Sequence, residues 1–264
     1  MPKTPSIAPL RPRPFPPRKL KKKAFAPLLQ KANLATAHCA AALKTTPSHL
    51  LTPLLTQEGS ASLESHKNPA SFTHQEKVQI QDYLAALSWA SQAINRSTFS
   101  KKQTCHIHRI MKRATSPKED LGRYRKRQNW IGPNDCSIEE AYFYPPKHTH
   151  VPRMMQQLFC YMKKKEEEPL LQLALAFAQL LIIHPFMDGN GRIARIWIPL
   201  FLYKKKILPS PSLFLSHYFK QHRLKYFQTL FQTSDENKWE NWIAFFLKGI
   251  ILESKRVTKR LRSV

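Results

Sequence analysis

One stretch concentrates the reactive side chains of this chain: His184-Pro185-Phe186-Met187-Asp188-Gly189-Asn190-Gly191-Arg192-Ile193-Ala194-Arg195. Imidazole is the side chain best suited to take a proton near neutral pH, so His184 is the candidate general base. Asp188 offers a hard oxygen ligand to Mg²⁺, an ion that keeps several waters and joins one or two carboxylates to substrate phosphates. The Gly189-Asn190-Gly191 run lets backbone N–H groups turn inward as an anion nest where a helix begins. Arg192 and Arg195, three apart, share one helix face and can grip phosphates in bidentate fashion. Together these are parts for nucleotide phosphate chemistry.

The elements around this stretch are predicted to be helices. Leu170 to Ile183 is apolar nearly all round, broken only by Gln172 and Gln179, and reads as a central buried helix over 169–183 that delivers His184 at its C-terminal end. Pro185 stops that helix, and Phe186 is expected to anchor the loop in the core. A second helix follows over 192–205, and others are predicted at 27–43, from about 48, at 73–95, 104–114, 150–164, 213–231 and 238–251. His106 and His108 are two apart and so face different sides of their helix, which makes them structural rather than metal ligands. Between 117 and 146 the pattern changes: aromatic-rich segments on either side of Gly132-Pro133-Asn134-Asp135 read as a β-hairpin.

Composition narrows the class. The chain has 264 residues, few glycines (6) and many prolines (21), which disfavours a sandwich with many tight turns. Its four cysteines show no Cys-x-x-Cys pair, so neither a zinc site nor a disulfide framework is expected, and a reducing compartment fits best. The formal charge of +26 could attract nucleic acid, anionic membrane or acidic protein. The basic residues are dispersed, however, and no helix-turn-helix, zinc-finger or RNA-binding motif accompanies them, so specific nucleic-acid binding is not the expected function. No signal peptide or membrane span is visible. The cytoplasm is the expected location, with export as an effector as the alternative suggested by the N-terminal arm. Residues 1–26, rich in Pro, Lys and Arg, read as a disordered or polyproline-like arm. Residues 27–70 then form an N-terminal helical segment, 71–252 the core domain and 253–264 a basic tail.

The His184–Arg195 stretch matches, at every specified position, the pattern His-Pro-Phe-x-(Asp/Glu)-Gly-Asn-Gly-Arg-x-x-Arg of the Fic domain family. Further resemblances are Gly122-x-x-Arg125, Asn129-Trp130-Ile131-Gly132, Pro145-Pro146 and the aromatic closing helices, so the likeness spans roughly residues 30–250. The resemblance implies a mainly α, Fic-type helical bundle with a short β-hairpin flap beside the active-site loop. It also implies a protein adenylyltransferase that moves AMP from ATP to a Tyr, Ser or Thr hydroxyl of a target protein. ATP would be the substrate and Mg²⁺ the cofactor. By the same resemblance His184 would be catalytic, Asp188 would hold the metal, and Gly189, Asn190, Gly191, Arg192 and Arg195 would bind the nucleotide. The flap, with Trp130, Ile131, Gly132, Tyr142, Phe143 and Tyr144, would align the target by β-strand addition.

Many relatives carry an inhibitory helix with a Ser/Thr-x-x-x-Glu-Gly/Asn motif whose Glu pairs with the second motif arginine. Ser60-x-x-x-Glu64 is the nearest match here, with Ser65 in the last position. Glu58-Gly59 is a competing register, and an ungapped alignment from Pro53 would place the inhibitory position on His66. Self-modification and a homodimer are open. So are two alternative functions: another chemistry on the same scaffold (AMP removal, or phosphate or phosphocholine transfer), and a non-catalytic basic adaptor.

Overall fold

The computed structural model describes residues 8–63, 69–96, 98–132, 137–165 and 167–263. Ten α-helices carry the described fold: α1 (Ala26–Thr45), α2 (Thr52–Ser62), α3 (His74–Arg96), α4 (Lys101–Lys112), α5 (Val151–Lys163), α6 (Pro169–Ile183), α7 (Asn190–Lys204), α8 (Ser216–Gln221), α9 (Arg223–Asp235) and α10 (Trp239–Arg262). The axis of the fold is α6, in which every residue from Leu170 to Ile183 is buried. A helix apolar on all faces needs neighbours on all sides. Here α1, α5, α7, α9 and α10 supply them. One of its polar interruptions is tied down by its amide N–H₂: Gln172 donates to the carbonyls of Tyr161 (2.7 Å) and Lys164 (3.0 Å). Trp242 of α10 donates its indole N–H to Ala174 O at 2.7 Å and stacks on Phe177.

Several sequence-predicted boundaries move. The expected helix over 213–231 is two helices that break at His222. The expected basic tail continues α10 to Arg262, with Glu253, Ser254, Val257 and Thr258 buried. Residues 27–70 are not set apart from the core, because α1 lies along α10 while α2 bridges α3 and α8. The arm departs most from expectation. From residue 8 onward it is packed on the body rather than disordered. Leu10 N–H donates to Tyr144 O at 3.0 Å, and Arg13 donates to Asp235 O at 2.6 Å. Phe15 packs edge-on against Tyr161 at 4.9 Å. Leu10, Phe15, Leu20 and the fully buried Phe25 are the apolar anchors spaced along it, a signal that its Pro/Lys/Arg composition obscures.

The helical class is as expected, whereas the hairpin is reduced. Among the described residues there is no strand, only an isolated antiparallel bridge between Ile131 and Phe143. Ile131 N–H donates to Phe143 O (2.9 Å) and Phe143 N–H donates back (3.1 Å). Pro145 and Pro146 have no N–H with which to extend a ladder, and the Tyr144 carbonyl is taken by the arm. Residues 133–136 lie outside the described residues. No helix among the described residues is long and apolar enough to cross a membrane.

One buried acid fastens α2 to the body. Glu58, 3% exposed, accepts from Tyr83 Oη (2.5 Å) on α3 and Ser216 Oγ (2.6 Å) on α8. Burial pushes its carboxyl up to about 7, against the opposing pull of these two hydrogen bonds and of Arg195. A carboxyl whose folded pKa is raised stabilises the fold fully below its unfolded value and loses that contribution as pH rises through the folded value. Glu58→Gln removes this titration. Between pH 4.5 and pH 8, the stability of the variant relative to wild type is therefore expected to improve by about 2–3 kcal/mol in urea unfolding. A difference that does not change with pH would contradict the assignment.

Candidate functional site

His184 occupies the end of α6 in the left-handed region (φ 49°, ψ 60°), and Pro185 prevents the helix from continuing. That backbone costs a non-glycine residue about 1–2 kcal/mol. Arg125 offsets it. Its guanidinium, buried behind the loop, donates Nε–H to His184 O (2.8 Å) and Nη2 to Pro146 O, while its backbone N–H donates to Pro185 O (2.9 Å). A cation at a helix C-terminus also meets the negative end of the helix dipole. Burial lowers the Arg125 pKa to about 10, so it stays charged at neutral pH.

The imidazole of His184 has Nδ1 at 3.3 Å from Leu181 O. A carbonyl can only accept, so Nδ1 carries the proton and Nε2 presents its lone pair. Burial, reinforced by the positive charge of Arg125 and opposed by the Leu181 carbonyl, pushes this imidazole down to about 4. At neutral pH the group is a neutral base.

The loop after it is closed by an amide clasp. Asn190 Oδ1 accepts Phe186 N–H and Asn190 Nδ2 donates to Phe186 O, both at 2.9 Å. Asn129 adds a further donor to that carbonyl at 3.0 Å. The Asn190 side chain is thus a loop brace and not, as its place in the motif suggested, a group aimed at phosphate. Phe186 is fully buried as expected, stacked on His108 at 4.1 Å. Gly189 takes φ 80° and starts α7. Its own N–H is used by Asp188 Oδ1 at 2.5 Å, which removes it from the expected nest. The first ladder bond of α7 is Ile193 N–H to Gly189 O, so the N–H groups of Asn190, Gly191 and Arg192 precede the ladder at the positive helix end.

Asp188 is held from two sides. His108 Nδ1 accepts Gly122 N–H (2.9 Å), which fixes the tautomer and makes Nε2 the donor to Asp188 O at 3.2 Å. Burial pushes His108 down to about 4 and keeps that neutral form. The Asp188 carboxylate, 66% exposed, meets Lys112 Nζ at 2.5 Å and Arg192 Nη2 at 3.6 Å through Oδ2. Desolvation would raise its carboxyl, but the Lys112 ammonium and then Arg192 outweigh it and hold it below the usual carboxylate value. Arg192 also donates to Gln79 Oε1 at 3.2 Å. Arg195 is buried and donates Nη2 to Ser62 O, the last carbonyl of α2, at 2.9 Å. Of the two residues predicted to regulate the site, Ser60 bonds its hydroxyl to Thr56 O within α2, and Glu64 lies outside the described residues.

The flap candidates sit beside this loop. Asn129 reaches Phe186 O, Gln128 reaches Pro145 O at 2.9 Å, and Arg125 joins Pro146 to His184, which ties the base of the bridged segment to the motif. Ile131 and Phe143 form the bridge, with Gly132 next to it, and Tyr144 accepts from the arm. Trp130 (41%) and Tyr142 (65%) are the exposed aromatics. Lys112 and Gln79 belong to the site but were not read from the sequence, while Arg125 and Asn129 were quoted only as positions of the resemblance, without a role at the loop. The i, i+4 spacing of His108 and Lys112 on α4 was the available signal for Lys112.

Residues 98–202 match the model of the Fic/DOC family. A protein adenylyltransferase Fic of Aedes aegypti is 27% identical over 156 residues, which is 58% of this chain and 28% of that protein. A probable protein adenylyltransferase of Aquifex aeolicus is 30% identical over 76 residues, 28% of this chain and 24% of that protein. The chain therefore spans about a quarter of the length of these curated relatives. Among solved structures, a Fic domain-containing signalling protein of Bacteroides thetaiotaomicron shares the fold at TM-score 0.63 and 15% identity, covering 91% of this chain and 98% of that one.

Arg125 is the brace most exposed to test. A lysine keeps the charge but not the planar fork that spans His184 O and Pro146 O. Arg125→Lys is expected to lose about 2–3 kcal/mol in urea unfolding, because buried carbonyls lose charge-assisted bonds. A loss under about 0.5 kcal/mol would show that the guanidinium does not hold the end of α6.

Proposed function

Residues 98–202 form a Fic/DOC family domain, and on that premise we propose that the protein is an adenylyltransferase. It transfers AMP from ATP to a Tyr, Ser or Thr hydroxyl of a target protein and releases pyrophosphate. The observation that carries this reading is a neutral His184, with Nδ1 committed to Leu181 O and Nε2 as the acceptor, at the edge of a loop lined by backbone N–H groups and two arginines. Nε2 takes the hydroxyl proton as the oxygen attacks the α-phosphorus in line with the departing pyrophosphate oxygen. The N–H groups of Asn190, Gly191 and Arg192 receive the charge that grows on the phosphoryl oxygens. Arg192 and Arg195 hold the outer phosphates and orient the leaving group. Positioning and charge neutralisation supply most of the rate in such a reaction.

The donor set suits a metal that arrives with the nucleotide. Among the described residues no group of three or more His, Cys, Asp or Glu could form a complete cage. Asp188 offers one exposed carboxylate, the number Mg²⁺ uses when phosphates and water complete its shell. Bound there, Mg²⁺ would neutralise phosphate charge. The bridged segment around Ile131 and Phe143, with Trp130 and Tyr142 exposed on it, is the surface to which the target's hydroxyl-bearing segment would dock through main-chain contacts. Arg195 donates to the Ser62 carbonyl, so the end of α2 meets an arginine that this reading assigns to the nucleotide. On this reading Glu64 is inhibitory, and Glu64→Gly is expected to raise AMP incorporation.

Incorporation of label from the α-phosphate of ATP into a cell extract and into the protein itself tests the reading, with γ-labelled ATP in parallel. Wild type is expected to transfer α-label only. His184→Ala is expected to lose at least about 100-fold in rate while keeping its affinity for ATP. Transfer of γ-label, or an undiminished rate in His184→Ala, would overturn the proposal.

A further inference from the structure

Lys112 has no part in the chemistry above, yet it is the side chain in closest contact with the candidate metal carboxylate. It ends α4, its side chain is 4% exposed, and its Nζ lies 2.5 Å from Asp188 Oδ2. The path of its stem is built into the loop. A Cβ on Gly189 would stand 2.8 Å from Met111 Cε and 3.2 Å from Lys112 Cδ, so the lysine stem is packed closely beneath a residue whose φ of 80° favours glycine. An ordinary surface ion pair, two flexible side chains meeting in water, has no such packed stem.

The two oxygens of Asp188 are both engaged, Oδ1 with Gly189 N–H and Oδ2 with Lys112 and, more distantly, Arg192. A cation that binds Asp188 through Oδ2 must displace the ammonium. The charges nearby point the same way. Lys112 and Arg192, the two cations on Oδ2, outnumber the single Asp188 carboxylate. That excess repels a lone divalent ion and attracts a polyphosphate.

We propose that Lys112 is a nucleotide-exchange cation: it occupies Asp188 while no nucleotide is bound, excludes free divalent ions from that carboxylate, and passes to the polyphosphate when the metal–nucleotide arrives. This deepens the adenylyltransferase reading and rests on it. The lysine has a second acceptor only once phosphate oxygens are present, so metal and nucleotide bind together and a free ion binds poorly. The exchange is non-covalent, with one hydrogen-bonded ion pair broken and another made.

Mn²⁺ binding without nucleotide, followed by electron paramagnetic resonance, and ATP binding in EDTA, followed by equilibrium dialysis, read the two halves of this role without measuring AMP transfer. Lys112→Met keeps the apolar stem beneath Gly189. It is expected to bind free Mn²⁺ about tenfold more tightly than wild type and metal-free ATP about tenfold more weakly. Lys112→Arg, which keeps the charge, is expected to stay within about threefold of wild type in both. Asp188→Asn combined with Lys112→Met is expected to lose the gained Mn²⁺ affinity, which places the ion at that carboxylate. If Lys112→Met does not fold, Lys112→Gln takes its place in both titrations. Unchanged affinities in a folded, charge-removed variant would overturn the proposal, and so would Mn²⁺ affinity that rises without Asp188. Should no AMP transfer be found while these shifts appear, the adenylyltransferase reading fails and the role of Lys112 in a metal–nucleotide site stands.

Discussion

The backbone of His184 must turn into the left-handed region at the last carbonyls of α6, and the surrounding loop depends on that turn. A buried apolar helix brings the residue to the centre of the molecule, and Pro185 forces the chain out of the helix. Left alone, the turn would leave helix carbonyls desolvated without donors. Arg125 answers with one planar group that reaches the end of α6 and the end of the bridged segment together. Placement of the imidazole and placement of the bridged segment are thereby coupled through one side chain.

Around that point the polar residues of the motif divide their labour differently from their order in the sequence. Asn190 and Gly189 spend side chain or N–H on the loop itself, through Phe186 and Asp188, and so convert flexible backbone into a fixed concave strip. His108 adds a second fixed point by bridging Gly122 N–H and Asp188 O. Such prior ordering matters for phosphoryl chemistry, where the protein contributes positioned dipoles and charges rather than bonds. On the proposed function the side chains left for ligand chemistry are His184, Asp188, Arg192 and Arg195, with Lys112 beside them.

Much of this was legible in the residues. The apolar run before His184, the proline after it and the Gly-Asn-Gly turn are local signals, and the helix ends they imply are where the structure has them within a residue or two. What escaped was contributed from a distance. Lys112 lies 76 positions before Asp188, a spacing that no periodicity reports, and Arg125, quoted only as a position of the resemblance, braces His184 from 59 positions away. The arm misled for a different reason. Proline, lysine and arginine dominate its composition, while four apolar anchors, Leu10, Phe15, Leu20 and Phe25, decide where it goes. The hairpin was over-read because two prolines and the arm occupy the positions that a longer ladder would need.

The scaffold sets His184 as a neutral base with its proton on Nδ1. Histidine-selective ¹³C NMR titration of the free protein, with His184→Ala used for assignment, measures this directly. The expected result is a His184 resonance that titrates well below the ordinary histidine value, near 4, with the Nδ1–H tautomer above that pH. A midpoint at or above 6.5, or an Nε2–H tautomer at neutral pH, would contradict the account.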